Sequence, residues 1–493
     1  MEQRDRPHIL LITTDQQRFD TVGPRSPDFL RTPHLDQLGR EGVRFDRAYA
    51  ECPICVPSRV SIMTGRSVLS HGMAGNGSTS EVMGRDGTLP SVLRDLGYST
   101  AAIGKMHFTP ERARHGFDEM LLPADYYRWM SESGTPVQPM RHGLGQNELY
   151  PGMATVPEAL TLTTWIADQC VRYVRDRRDP TTPFFLWASF TKPHPPLDPP
   201  EPYASMYRDA PVPDPVYGDW SGDDAAPEAF LRQRQRHSYD LVPPSVIRAA
   251  REAYYGLITH VDYAIGRIFA GLQDVGLLDD TFVVFTSDHG EFLGDHHSGN
   301  KVMFHEPSAH VPFLVRPPKR DGHGLHGTTS DALVTHADVL PTLVAAAGGE
   351  PSPDVDGHDL LATVRGGTPV LQYVCGLAAD GRSGAGAAPA PVYLAVTDGR
   401  WKYIWYPEGA QEQLFDLDTD PDELVDRSGR PDTEEVRRAL STALAEQLRK
   451  AGSPWATREG LVETPLRQEP VTDRRATAWP GYHTESYGVD VRH

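Results

Sequence analysis

Cysteine is scarce. The four in 493 residues, Cys52, Cys55, Cys170 and Cys375, are too few and too scattered for a disulfide framework, which fits a reducing compartment. No apolar run reaches the roughly 20 residues that span a bilayer, and the opening Met-Glu-Gln-Arg-Asp-Arg-Pro contains no signal-type apolar segment. The expectation is a soluble, cytoplasmic protein with no membrane partner. Positive charge is short as well: 48 Lys and Arg against 67 Asp and Glu give a net charge of −19 at pH 7. That balance argues against nucleic acid as a partner, so any anionic ligand needs a local cationic pocket. Internal repeats are also missing.

What the chain does have is a series of short apolar runs that stop abruptly at polar residues. His8–Thr14 ends at Asp15-Gln16, and Thr281–Ser287 ends at Asp288-His289-Gly290. Runs apolar on both faces read as central strands of a parallel sheet, where ligands bind beyond the carboxyl ends. Ser99–Gly104 leads to Lys105-Met-His107, Pro183–Phe190 leads to Lys192-Pro-His194, and Val311–Val315 follows a loop carrying Lys301. Helices with readable ends lie between: Thr32-Pro33 to Gly42, Leu89-Pro90 to Gly97, and a long periodic stretch from about Ser245 to Leu277, whose His260 and Asp262 are read as packing.

This alternation predicts an α/β fold, with a large mixed, mainly parallel sheet sandwiched by helices, over residues 1–375. Within it, 198–244 reads as a surface excursion beside the site. Residues 376–391 read as a flexible loop, and 392–451 as a smaller C-terminal α+β subdomain of antiparallel sheet plus helix. An irregular tail, 452–493, follows, and its Trp455, Trp479, Tyr482 and Tyr487 are expected to dock on something.

The chain centres on Cys52-Pro-Ile-Cys55-Val-Pro57-Ser58-Arg59-Val-Ser-Ile-Met-Thr64-Gly65-Arg66. Pro57 suits a first helical turn and Gly65 a helix end, so Cys55 faces the positive end of a helix dipole, with Arg59 one turn in. That arrangement suits an oxyanion. On these residues alone Cys55 reads equally as a buried structural thiol or as a redox partner of Cys52. Two strand ends that each deliver an aspartate, Asp15 and Asp288, favour a metal near it.

Cys55-x-Pro57-Ser58-Arg59 followed by Thr64-Gly65-Arg66 resembles the signature of the type I sulfatases of the alkaline phosphatase superfamily. Asp398-Gly-Arg-Trp-Lys and Leu414-Phe-Asp-Leu-Asp-Thr-Asp-Pro421 resemble their C-terminal subdomain. The resemblance implies an alkaline-phosphatase-like fold and hydrolysis of a sulfate monoester to alcohol and inorganic sulfate. It implies that a formylglycine-generating enzyme oxidises Cys55 to formylglycine, whose hydrate is the nucleophile. By the same likeness Asp15, Gln16, Asp288, His289 and residue 55 hold one divalent cation, Ca2+ ahead of Mn2+ or Mg2+. Lys105 and Arg59 hold the diol and the anion, and His107 takes the proton of the second hydroxyl. His194 and Lys301 meet the bridging oxygen as it leaves, and Asn76 contacts sulfate, although Gly-Asn-Gly by itself is an ordinary turn.

There are departures. Many sulfatases carry Asp-Asp and Asp-Asn where this chain has Asp15-Gln16 and Asp288-His289. With Gly-Lys-Met-His-Phe, Asp-Gln resembles the choline-sulfatase-like branch. Phosphonate monoester hydrolases share Asp-Gln and Asp-His but usually lack the Lys-x-His pair. The expected order is therefore a sulfate ester first, a phosphonate or phosphate diester second, and a metal- and anion-binding scaffold with unmodified Cys55 as the non-catalytic alternative. The expected substrate is small, and the aromatic tail, which in some relatives reaches a neighbouring subunit, is compatible with a homo-oligomer.

Overall fold

The computed structural model describes residues 6–84, 86–134, 139–145, 147–366, 371–379 and 391–466. Eight strands form the main sheet: β1 (His8–Asp15), β2 (Val43–Tyr49), β3 (Ser99–Gly104), β4 (Glu119–Leu121), β5 (Phe184–Pro193), β6 (Thr281–Ser287), β7 (Phe313–Arg316) and β8 (Thr328–Thr335), in the order β4-β3-β5-β1-β6-β7-β2-β8. Only β7, from the run expected at 311–315, opposes its neighbours β6 and β2; the other pairings are parallel.

The continuous apolar runs are explained by two cores, one on each face. Ile9, Leu11, Phe185, Trp187 and Val284 face one side, where Val56, Val60 and Met63 of the Cys55–Thr64 helix pack. Leu10, Ile12, Leu186, Ala188, Val283 and Phe285 face the other, under Val261, Ile265, Ile268 and Leu272 of the Pro244–Asp274 helix. Each such fully buried side chain contributes about 1.5–3 kcal/mol, so a slip of one residue, which exchanges the two faces, is strongly disfavoured.

Register then brings the strand ends together. Asp15 lies opposite Pro193, Thr14 opposite Ser287, and Gly104 opposite Ser189. The residues that follow β1, β3, β5 and β6 therefore emerge at one edge of the sheet.

The second sheet has four antiparallel strands, β9 (Val374–Ala379), β10 (Val392–Thr397), β11 (Trp401–Tyr406) and β12 (Gln411–Asp416), with the Glu434–Lys450 helix against it. The expected loop at 376–391 thus begins as strand, and a boundary at 375 falls inside β9; residues 380–390 lie outside the described residues. The 198–244 stretch is also less loose than its composition predicts. It contains a helix, Glu228–Arg236, and buries Tyr207, Trp220, Phe230 and Tyr239. Of the tail aromatics, Trp455 packs on the C-terminal core, whereas Trp479, Tyr482 and Tyr487 lie outside the described residues. No described helix is long and apolar enough to cross a membrane.

Asp262 holds a helix start in place. Its carboxylate accepts the backbone N–H groups of His34 and Leu35 at 3.2 and 2.8 Å, in the first turn of the Pro33–Glu41 helix. Burial, aided by Asp36, pushes its pKa up to about 7 from 3.8. A raised folded-state value means the native state holds the proton more tightly. The associated stability is full below 3.8 and is lost as pH rises through about 7. Asp262→Asn is expected to flatten that part of the decline in urea midpoint.

Candidate active site

Cys55 is the first residue of its helix, after an extended Ile54, and the helix ends on Gly65 in the left-handed conformation with its N–H on Ser61. Pro57 falls in the first turn, where its missing N–H costs no helical bond. Asn76, at the exposed rim, accepts the Val56 N–H through Oδ1 at 3.3 Å.

Asp15, Cys55, Asp288 and His289 are all buried, and each offers a ligand atom within 4.8 Å of the others. The Cys55 sulfur lies 3.2 Å from His289 Nε2 and 3.8 Å from Asp15 Oδ1. His289 Nε2 is 3.7 Å from Asp15 and 3.6 Å from Asp288. Burial and the charge of Asp15 push the Asp288 carboxyl up. Asp15, although burial and Cys55 oppose it, is held below the usual carboxylate range by Lys105, His194 and His289. Two buried carboxylates that repel one another, joined by an imidazole, fit a divalent cation. Asp15 Oδ2 has ion pairs from Lys105 and Arg59 but no well-directed hydrogen bond, so it too can serve as a donor. A thiol is a poor donor to Ca2+ or Mg2+, whereas an oxygen on residue 55 would complete the set.

Cationic side chains also surround residue 55. Burial would raise the Cys55 thiol, but Lys301, Lys105 and His289, with a hydrogen bond from His107, hold it well below its ordinary value. Negative charge at this position is therefore stabilised. Arg59 is 1% exposed and binds Asp288 at 2.9 Å, Ser189 Oγ at 2.8 Å and the Lys105 carbonyl at 2.5 Å. Gly104 (φ +106°) is needed for this packing, since a Cβ there would sit 1.9 Å from the Ser189 carbonyl oxygen.

Lys301 Nζ donates to Gln16 Oε1 at 2.5 Å and to His194 Nε2 at 3.0 Å. Burial and Lys301 push His194 down to about 4, so it is neutral near pH 7. Its Nδ1 donates to the Pro195 carbonyl at 2.8 Å, which leaves Nε2 as the acceptor for Lys301.

The structure thus gathers Asp15, Gln16, Cys55, Arg59, Asn76, Lys105, His107, His194, Asp288, His289 and Lys301 about one point. In it the Gln16 oxygen faces Lys301. Sequence reasoning missed Ser189, Glu291 and Asn300, which hold these groups from behind. Glu291 closes Asp288-His289-Gly290-Glu291, and Asn300 immediately precedes Lys301, but neither carries a spacing that marks it.

The sulfatase family model matches residues 7–349, and that of the N-sulphoglucosamine sulphohydrolase C-terminal region matches residues 294–450. An arylsulfatase of Clostridium perfringens is 34% identical over 85% of this chain and 90% of its own. A choline-sulfatase of Rhizobium meliloti is 31% identical over 86% and 83%. Among solved structures, the phosphonate monoester hydrolase of Agrobacterium radiobacter superposes with a TM-score of 0.77 at 26% identity, over 94% of this chain and all (100%) of that one. The matched length, the identity to these relatives and the shared alkaline-phosphatase-like architecture lead to one conclusion: the chain belongs to the sulfatase family and is a sulfuric ester hydrolase.

Proposed function

We propose that the chain hydrolyses a small sulfate monoester, using residue 55 in its formylglycine form beside one divalent cation, Ca2+ in preference to Mn2+ or Mg2+. The observation that carries this reading is that residue 55 sits within a buried carboxylate–imidazole cluster and under the positive charge of Lys105 and Lys301. The aldehyde hydrate would supply the attacking hydroxyl, and the cation its acidity and part of the charge neutralisation.

The remaining work falls to the chain itself. Asp15, Asp288 and His289, with Gln16, hold the cation, and Arg59 ties Asp288 to the β3 and β5 ends. Lys105 offsets the sulfuryl charge, and Asn76 stands at the rim where the ester group enters. His107, in hydrogen-bond reach of residue 55, would accept a proton from that residue. His194, with its lone pair on the Lys301 ammonium, aims that group at the leaving oxygen. Lys301→Ala is expected to lower kcat/KM on an alkyl sulfate about 100-fold, and less on an aryl sulfate whose leaving group needs little help. Equal activity of the variant and wild type on the alkyl ester would remove Lys301 from this role.

A phosphonate monoester is the second reading, favoured by Asp15-Gln16 with Asp288-His289 and by the structural likeness to the phosphonate monoester hydrolase. The Lys105/His107 pair beside residue 55 places sulfate first. Comparing kcat/KM for aryl, choline and sugar sulfates with a phosphonate monoester decides the order; a clear preference for the phosphonate reverses it. Maturation requires a formylglycine-generating enzyme as partner. The remaining free cysteines, Cys52, Cys170 and Cys375, support a cytoplasmic setting. In fully matured protein the tryptic peptide 48–59, which holds both Cys52 and Cys55, should have lost one of its two sulfurs and two hydrogens and gained one oxygen, the change lying at residue 55. A plain thiol there, with no aryl sulfate hydrolysis, would favour the non-catalytic scaffold.

A further inference from the structure

The backbone of Gln16 is fixed: φ is +71°, its N–H donates to Asp288 Oδ1 at 3.1 Å, and its carbonyl accepts the Tyr254 hydroxyl at 2.7 Å. Its side-chain amide, by contrast, can turn by half a rotation with almost no change of shape. Which end faces Lys301 decides whether that ammonium is held by an oxygen or repelled by an NH2 group.

We infer that Glu291 makes this choice, as a positioning residue that forces the Gln16 oxygen inward. Glu291 is 1% exposed. Its Oε1 is occupied by the backbone N–H groups of Leu293 and Asn300. Its Oε2 accepts from Gln16 Nε2, and Asn300 Oδ1 adds a longer bond to the same nitrogen at 3.5 Å. A carboxylate has no donor, so the amide nitrogen of Gln16 must point to it and the amide oxygen must point to Lys301. Lys301 is then tied to His194. Lys301 therefore donates to His194 on one side and to Gln16 on the other, and Gln16 in turn donates to Glu291, so each bond in the chain has a fixed direction. The same orientation presents the one Gln16 side-chain atom able to bind a cation.

Changing one atom tests it. In Glu291→Gln the new oxygen still takes the two backbone N–H groups, so the new NH2 faces Gln16. The clash of two donors is relieved only if the Gln16 amide turns, and that sets NH2 against Lys301. The inference rests on the proposed roles of Gln16 and Lys301, so Gln16→Ala is the control. Two readouts are used: Ca2+ affinity by titration calorimetry, and kcat/KM on an alkyl sulfate. Glu291→Gln is expected to lower each by about 10- to 100-fold. Gln16→Glu alone also lowers kcat/KM, because it opposes two buried carboxylates.

The double variant Gln16→Glu/Glu291→Gln is expected to regain both, since a carboxylate at position 16 offers oxygen to the amide at 291 and to Lys301 alike. A double variant as impaired as the worse single one, or a Glu291→Gln indistinguishable from wild type while Gln16→Ala is impaired, overturns the inference alone. A Gln16→Ala that matches wild type on both readouts overturns the underlying reading of the site. If Glu291→Gln does not fold, the double variant decides: Ca2+ binding at or above the wild-type level supports the inference, and no binding contradicts it.

Discussion

Cys55→Ala abolishes sulfate ester turnover, by roughly 10⁴-fold or more, the scale on which loss of a nucleophile acts, while the protein stays folded. Residue 55 is 2% exposed at the start of a helix whose other nine residues are also buried, so that helix is held by its own packing. Alanine is an excellent helix former and removes a single heavy atom. The groups that faced the sulfur still have partners: Lys105 keeps Asp15, Lys301 keeps Gln16 and His194, and His289 stays near both aspartates. Circular dichroism and the urea midpoint should therefore change little while activity disappears. Appreciable turnover by Cys55→Ala on any sulfate ester would mean that the nucleophile lies elsewhere.

Lys402→Met is expected to destabilise the protein by about 3–5 kcal/mol, the usual result of removing one partner from a buried ionic cluster. Lys402, 2% exposed on β11, lies between Glu306 of the main domain and Glu423, with Glu423 at 3.0 Å. Burial alone would lower its pKa, but the two carboxylates raise it. Glu306 also takes His310 Nδ1 at 2.6 Å, and Glu423 accepts the Glu306 N–H at 2.6 Å. Methionine keeps most of the lysine's length, one atom short, and leaves two acids facing each other without their cation. Urea denaturation measures the loss. Adding Glu306→Gln and Glu423→Gln to Lys402→Met should recover much of it, because the uncompensated charge is then gone. A loss below about 1 kcal/mol, the level of an exposed pair, would show that the cluster contributes no more than a solvated ion pair.

The parts of the molecule legible in the sequence share a physical cause. Asp15 ends, and Lys105, His194 and Asp288 each follow, a strand buried on both faces, so a long apolar run announces the strand and its end announces the site. β2, Val-Arg-Phe-Asp-Arg-Ala-Tyr, alternates polar and apolar residues, and β8 is half exposed along its first four residues. Neither shows such a run, so neither is announced. Glycine and alanine hide β9. Yet Gly376 is there because a Cβ would come within 2.2 Å of the Phe304 ring; glycine inside a strand can mark a close approach rather than a turn. The 198–244 stretch buries single aromatic anchors without any period, which pattern reading takes for loop. Glu291 leaves no trace because its role depends on hydrogen-bond direction, which residue spacing does not encode.

A crystal structure of the fully matured protein grown with Ca2+ should show a hydrated aldehyde at position 55 with one oxygen about 2.3–2.6 Å from a cation that Asp15, Asp288 and His289 also bind. An intact thiol at position 55, or a cation bound away from those three side chains, would contradict the proposed function.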